Sequence, residues 1–248
     1  MKRGGVLLVG MVLAIPAAAL EGEAGFTYER LDHDLPDWKS VYLELTHDFA
    51  ERQTLHGLVR ETDRFDQRDT ELAAGYYHPF GAAWTALVEA SASPDHHVLP
   101  KSSLLGQMFW IAGAGWVASA GLRYSEYTEA STRLLIGTLE RYFGAWRAGY
   151  TLYNGKPEDA GSATTHRVAL DHYYYGERSR IGVSVAWGRE VEHVGPPVGL
   201  ITSDVRAVAL LGRHWITPGW ALAWEAGTHE QGDLYRRTGV RLGLRHHF

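Results

Sequence analysis

Apolar and polar residues alternate along most of this chain with a period of two. Fourteen segments carry that alternation, each bounded by turn-forming residues. They run Gly25–His33, Trp38–Asp48, Gln53–Thr62, Asp69–His78, Ala82–Ser91, Ser102–Ala112, Trp116–Glu126, Ser131–Tyr142, Ala145–Asn154, Thr164–Tyr174, Ser179–Arg189, Thr202–His214, Trp220–His229 and Leu234–Phe248. The last is the clearest. Val240, Leu242, Leu244 and Phe248 fall on one side, while Arg237, Gly239, Arg241, Gly243, Arg245 and His247 fall on the other. Side chains alternate across a strand, so this is one long two-faced β-strand. An apolar face ending in an aromatic is similar to the closing strand of outer-membrane barrels, where such an ending is the assembly signal. The third-last residue, His246, departs from the aromatic or apolar residue usual there.

The connections alternate too. Tight links such as Pro79-Phe80-Gly81, Gly113-Ala114-Gly115 and Phe143-Gly144 follow the even-numbered strands. Longer polar ones, Asp63–Arg68, Ala92–Lys101, Gly155–Ala163 and Glu190–Ile201, occupy the other end. This predicts an all-β, antiparallel up-and-down transmembrane barrel of about 14 strands with periplasmic termini; 12 strands is the alternative, and a soluble sandwich the competing class.

The start of the chain is different. Lys2 and Arg3 precede an apolar run from Val6 to Leu20 that contains Ala17-Ala18-Ala19. This reads as a signal peptide over residues 1–19, cleaved after Ala19, with the barrel domain at 20–248. The run is shorter than the roughly 20 residues that a spanning helix needs. With export through the Sec pathway, the expected location is the outer membrane, with lipid, lipopolysaccharide and the barrel-assembly machinery as partners.

Face assignment follows from the cost of charge in lipid, roughly 2–4 kcal/mol for Arg or Lys at the midplane. Trp84, Ala86, Val88, Ala118, Ala120, Leu122, Trp146, Ala148, Tyr150, Leu152, Val168, Leu170, Ile181, Val183, Val185, Trp187, Val205, Ala207, Ala209, Leu211, Leu222 and Trp224 are assigned to lipid. A lumen charge ladder is expected from Glu44, Glu71, Glu89, Arg123, Arg147, Arg167, Asp171, Arg206, Glu225, Arg241 and Arg245, paired across the lumen. Gly182, Gly188, Gly212, Gly227, Gly239 and Gly243 are placed inward with them. The eighth segment, where Arg133, Leu135, Leu139 and Arg141 oppose Leu134, Ile136, Thr138 and Glu140, does not sort.

Candidate chemistry changes little. Cysteine is absent, which excludes disulfides and thiolate metal sites. The net charge of −5 comes with no basic block, so nucleic acid is not an expected partner. No His-x-Ser pair of the kind seen in barrel lipases occurs. Asp63, Asp66 and Asp69 with His96 and His97 have the residue types of a barrel protease, and read more simply as a polar rim. His246 and His247 point to opposite faces, and His96-His97 supplies two ligands where zinc wants three or four; no metal and no cofactor are expected. Most Trp and Tyr residues, Trp38, Trp116, Tyr142, Tyr173, Trp215 and Trp220 among them, read as interface belts, with Tyr42, Tyr77 and Tyr153 as inward candidates.

Around Gly121-Leu122-Arg123-Tyr124-Ser125-Glu126-Tyr127 the chain resembles the YaiO-type outer-membrane β-barrel family. Ser93-Pro94-Asp95 with Leu99-Pro100-Lys101, and Tyr142-Phe143 leading into Trp146-Arg147-Ala148-Gly149-Tyr150, extend the resemblance. It implies a single-domain outer-membrane barrel without family-wide catalytic residues to carry over. Two functions then compete: a narrow conduit for small polar solutes or saccharide, with an envelope polysaccharide export system as its partner class, and a plugged structural or binding barrel. A hydrolase is the distant third.

Overall fold

A computed structural model describes residues 20–158, 161–176, 178–193 and 198–248; the expected signal peptide lies outside them. Fourteen antiparallel strands form the chain: β1 (Leu20–Leu31), β2 (Trp38–Ala50), β3 (Gln53–Arg64), β4 (Gln67–Phe80), β5 (Trp84–Ala92), β6 (Ser102–Gly113) and β7 (Trp116–Glu126), then β8 (Ser131–Phe143), β9 (Trp146–Pro157), β10 (Ala163–Tyr174), β11 (Ser179–His193), β12 (Leu200–Trp215), β13 (Trp220–Gln231) and β14 (Tyr235–His247). Each pairs with its sequence neighbours, and β1 pairs with β14 from Glu21↔His247 to Leu31↔Arg237, closing the barrel. Closure leaves no strand edge without a partner, a requirement for crossing lipid.

The apolar residues are mostly on the outside. Val41, Leu72, Val88, Leu104, Leu135, Val168, Val185, Leu210 and Leu244 are all exposed, Val88 at 58%. An apolar belt running round the whole wall would be untenable in water and is matched to hydrocarbon. Phe49, Phe80, Trp84, Trp110, Trp116, Phe143, Trp146, Trp220 and Phe248 ring the rim with the short turns. Tyr28, Tyr124, Tyr150 and Trp187 mark the other rim. His246 takes its place in the first girdle, its ring 4.3 Å from Trp220 and 4.5 Å from Phe248.

The register corrects four readings. On β12, Leu211 pairs with the inward Gly182 and Val205 with Gly188, so Val205, Ala207, Ala209 and Leu211 face the lumen. Arg206 and Gly212 therefore face outward, Arg206 level with Trp187 and Glu230 near the long-loop rim. The eighth strand sorts through Leu134↔Arg123: Leu134, Ile136, Thr138 and Glu140 are inward, Arg133 and Arg141 outward at its two ends. Trp38, Tyr142, Tyr173 and Trp215 belong to the inward register rather than the belts. Finally, β3 and β4 stay paired as far as Arg64↔Gln67, so the expected Asp63–Arg68 loop shrinks to Phe65-Asp66. Both residues have positive φ, 55° and 58°, the backbone of a two-residue hairpin turn.

Candidate functional site

The lumen wall carries three larger groups of charges, with Arg237–Glu29 and His229–Glu190 as further contacts, each at 3.4 Å. At the seam, Glu23 on β1 is 3% exposed and receives Arg245 Nε at 2.8 Å, Arg241 Nη2 at 2.9 Å and the Tyr42 hydroxyl at 2.7 Å. Arg245 also meets Glu21 at 3.1 Å and Glu44 at 3.9 Å. A second group joins Arg60 to Glu71 at 2.5 Å, and both His56 at 3.1 Å and Arg123 at 2.9 Å to Glu89. Arg123, Leu105 and Glu89 are level on β7, β6 and β5, so this ion pair arches over the buried Leu105. The third group centres on Arg147, 3.2 Å from Glu140 and 3.0 Å from Asp171, with Arg180 3.8 Å from Asp171.

These pairs join adjacent or next-nearest strands. The expected pairing across the lumen is corrected on this point, because fourteen strands spaced about 4.8 Å apart enclose more width than two facing side chains span. Arg167 and Glu225 face inward but enter no ion pair among the described residues. Arg206 lies outside the group altogether. Wall charges outside the expected ladder include Glu21, Glu23, Glu29, His56, Arg60, Glu140, Arg180 and Arg237. Glu21 and Glu23 lie ahead of the expected start of β1 at Gly25, on a strand whose outward residues Leu20, Gly22, Ala24 and Phe26 continue the alternation backwards.

Lumen glycines sit under this network. A Cβ on Gly243 would lie 2.5 Å from the Tyr42 hydroxyl and 2.8 Å from Glu23 Oε1, and one on Gly239 would lie 2.6 Å from Glu29 Cγ. Gly182 stands under Asp171 in the same way. Absent side chains here make room for neighbouring ones rather than for open space.

The long-loop mouth is crossed by protein. Asp69 on β4, fully buried, accepts the backbone N–H of His97 at 2.8 Å, Val98 at 2.7 Å and Leu99 at 2.8 Å, and the His97 ring at 2.8 Å. That draws the 93–101 connection over the opening and buries Val98 and Leu99. The hydrogen bond from its ring to the Asp69 carboxylate holds the His97 imidazole above its usual pKa. Thr128 Oγ1 reaches the His96 carbonyl at 3.4 Å, and Tyr127 stacks on His193 of β11, 4.6 Å between ring centres. Burial pushes the Tyr127 phenol up. Beside them Leu31, Trp38 and Tyr235 form a buried apolar cluster with Leu35 and Phe65. Arg64 and Arg237 lie over the Trp38 ring at 4.4 and 4.8 Å, and the Tyr235 hydroxyl donates to Glu192. Since β4 and β11 are opposite in the ring of fourteen, these contacts bridge the mouth.

Inside, cavities remain along the wall. One of about 430 Å³ is lined by Glu44, His56, Arg60, Tyr77, Glu89 and Arg123 among others. Another of about 290 Å³ is lined by Gln107, Ser119, Thr138, Thr151, Arg147 and Arg167, and a third of about 390 Å³ by Tyr127, Tyr153, Thr165 and His229. No group of three or more His, Asp or Glu suited to a metal occurs among the described residues. Asp69 and His97 are the one acid and imidazole that meet in the suspected rim cluster, and the carboxylate is occupied by backbone donors.

Among solved structures, a bacterial polysaccharide outer membrane secretin superposes with a TM-score of 0.59 at 7% identity, over 94% of this chain and 99% of that one. The outer membrane protein Omp33 of Acinetobacter baumannii gives 0.55 at 10%, over 94% and 100%. The KdgM porin gives 0.50 at 15%, over 91% and 99%. At such identities the likeness is one of fold, that of outer-membrane barrels. Comparison with curated proteins finds no match. The model of the YaiO membrane beta barrel domain matches residues 21–193, more than half of the chain, and the protein belongs to that family.

Proposed function

We propose that this barrel is an outer-membrane conduit for small polar solutes or saccharide, gated at its long-loop mouth. The observation that carries this reading is the lumen wall: ion pairs held flat between neighbouring strands leave polar cavities of about 290 and 430 Å³ instead of a filled core. In this reading residues 1–19 are a Sec signal peptide, the fourteen strands cross the outer membrane with the termini in the periplasm, and lipopolysaccharide surrounds the outer rim. Val240, Leu242, Leu244 and Phe248, all exposed on the outer face of β14, serve as the signal to the barrel-assembly machinery. An envelope polysaccharide export system is the partner class that suits a saccharide outlet.

The mouth supports a second reading, a plugged barrel acting through its outer surface. The Asp69-held connection and the Trp38–Tyr235 cluster are what favour it. An enzymatic role draws no support from Asp69, whose carboxylate is saturated by backbone donors. Conductance in planar bilayers decides between the two: discrete steps are expected for the conduit, and a silent, folded protein would leave the plug.

A further inference from the structure

The wall from β6 to β10 differs from the rest of the lumen. Between its charged groups it carries a level of neutral polar side chains that hydrogen-bond to one another. Here Phe109, Ser119, Thr138, Thr151 and Arg167 stand level on five successive strands, each paired in register with the next. Gln107 Nε2 donates to Ser119 Oγ at 2.9 Å, and Thr138 Oγ1 to Thr151 Oγ1 at 3.2 Å, two hydrogen-bonded pairs side by side in one polar band. Ser119 and Thr151 accept in these bonds and keep their O–H groups to donate, while Thr138, whose O–H goes to Thr151, keeps acceptor capacity. At one end of the band is Phe109, its ring 6.1 Å from Tyr77; at the other is Arg167.

Arg167 is the feature that a structural role leaves unexplained. Arg147, two inward positions from Thr151 along β9, is spoken for by Glu140 and Asp171. Arg167 has no carboxylate partner among the described residues, yet it borders the same cavity of about 290 Å³ as the hydroxyl band. A guanidinium offers a planar fork that fits carboxylate oxygens in pairs. Neutral groups that between them donate and accept, next to aromatic ring faces, suit a ring of alternating C–H and O–H groups.

The geometry points to a binding site for an acidic saccharide unit, its carboxylate on Arg167 and its hydroxyls on Gln107, Ser119, Thr138 and Thr151. Tyr153, two positions further along β9 from Thr151, lines the adjoining cavity of about 390 Å³ and places a ring where a second unit would continue. The inference deepens the reading of the lumen as a passage for saccharide by naming the sugar class and the wall that takes it.

The test is calorimetric titration of the detergent-folded full chain with glucuronate, glucose and inorganic phosphate. Glucuronate is expected to bind at least tenfold more tightly than glucose. Arg167→Ala, which strands no carboxylate and should keep its heat-modifiable mobility, is expected to bring glucuronate down to the level of glucose. Thr138→Val is expected to weaken both sugars severalfold while leaving phosphate unchanged. Equal binding of glucuronate and glucose, or an Arg167→Ala variant indistinguishable from the parent, overturns the site. Phosphate binding as tight as glucuronate, with Thr138→Val without effect, overturns its saccharide character. Glucuronate binding by a protein silent in bilayers removes the conduit and leaves the site; conductance without glucuronate binding does the reverse.

Discussion

Tyr42 on β2 and Arg241 on β14 meet over the bare backbone of β1. Arg241 Nε donates to the Tyr42 hydroxyl at 2.9 Å, and its guanidinium carbon is 4.7 Å from the centre of the ring. Gly25, level with both Tyr42 and Gly243, is what lets the ring lie flat across the strand between them. A Cβ at Gly25 would stand 2.5 Å from the Tyr42 hydroxyl and 2.5 Å from the Leu242 carbonyl. Backbone cannot yield as a side-chain tip can. Gly25→Val is therefore expected to displace Tyr42 and destabilise the seam by about 1–3 kcal/mol, as overpacking does. Urea unfolding in detergent would show it; a midpoint equal to that of the parent would refute the packing argument.

Glu23 is the common acceptor for that seam, with Arg245, Arg241 and Tyr42 all donating to it. Deleting one partner of a buried pair costs about 3–5 kcal/mol, because the other charge is left without compensation. Glu23→Ala leaves Arg241 without a carboxylate and Arg245 with Glu21 and the more distant Glu44. Arg241→Ala leaves Glu23 still held by Arg245, so its loss should be the smaller. Both variants are expected to insert, since the lipid face is untouched. The heat-modifiability transition should fall in the order parent, Arg241→Ala, Glu23→Ala; the reverse order would contradict the shared-acceptor geometry.

Asp69 closes the mouth by accepting three backbone N–H groups that have no other partner. Asp69→Ala is expected to free the 93–101 connection, at a local cost on the order of 3 kcal/mol for several hydrogen bonds to a charged acceptor. Hydrogen exchange at His97, Val98 and Leu99 should rise, and single-channel conductance should rise with it. An unchanged conductance alongside freed amides would mean that the apolar cluster at Trp38 closes the mouth alone.

The same latch carries a pH dependence. The Asp69 hydrogen bond raises the His97 pKa above its ordinary value of 6.5. A group raised in the folded state contributes stability that is fully present below its unfolded pKa and is lost as pH rises through the folded one. The connection is thus expected to be tighter in mildly acidic buffer than in alkaline buffer. His97 is largely exposed, so solvent screens the effect and it should be modest. Proteolysis of the connection, compared on either side of neutrality with His97→Gln as control, measures it. The control should be insensitive to pH.

All fourteen strands were legible in the alternation because membrane strands must keep one face apolar for their full length. Ten of the eleven ladder residues take the inward register for the same reason. What the pattern concealed were the rims and the mouth. Near a rim a long cation can remain on the outer face and reach water, as Arg133 and Arg141 do, the latter over Trp116 at 5.0 Å. Charge then stops reporting direction. The bridge from Asp69 to Val98 and from Tyr127 to His193 joins segments distant in sequence through backbone donors and ring faces, which have no periodic signature.

β12 is where those two limits met. Its inward residues Val205, Ala207, Ala209 and Leu211 are as aliphatic as its outward Val208 and Leu210, so hydropathy gives no direction, and Arg206 alone suggested the wrong one. The strand's direction is fixed instead by register with its neighbours: Ala209 pairs with Ser184 and Gly227, and Leu211 with Glu225, all on the lumen side. The two orientations differ in a measurable way near the middle of the strand. Val208→Arg places a guanidinium against hydrocarbon at a cost of roughly 2–4 kcal/mol, whereas Ala207→Arg places it in a polar lumen beside Glu225's wall, where the cost is small. Folding yield into vesicles and the urea midpoint should therefore fall for Val208→Arg and hold for Ala207→Arg. The opposite outcome would turn β12 over, return Arg206 to the lumen, and undo the register on which the wall is built.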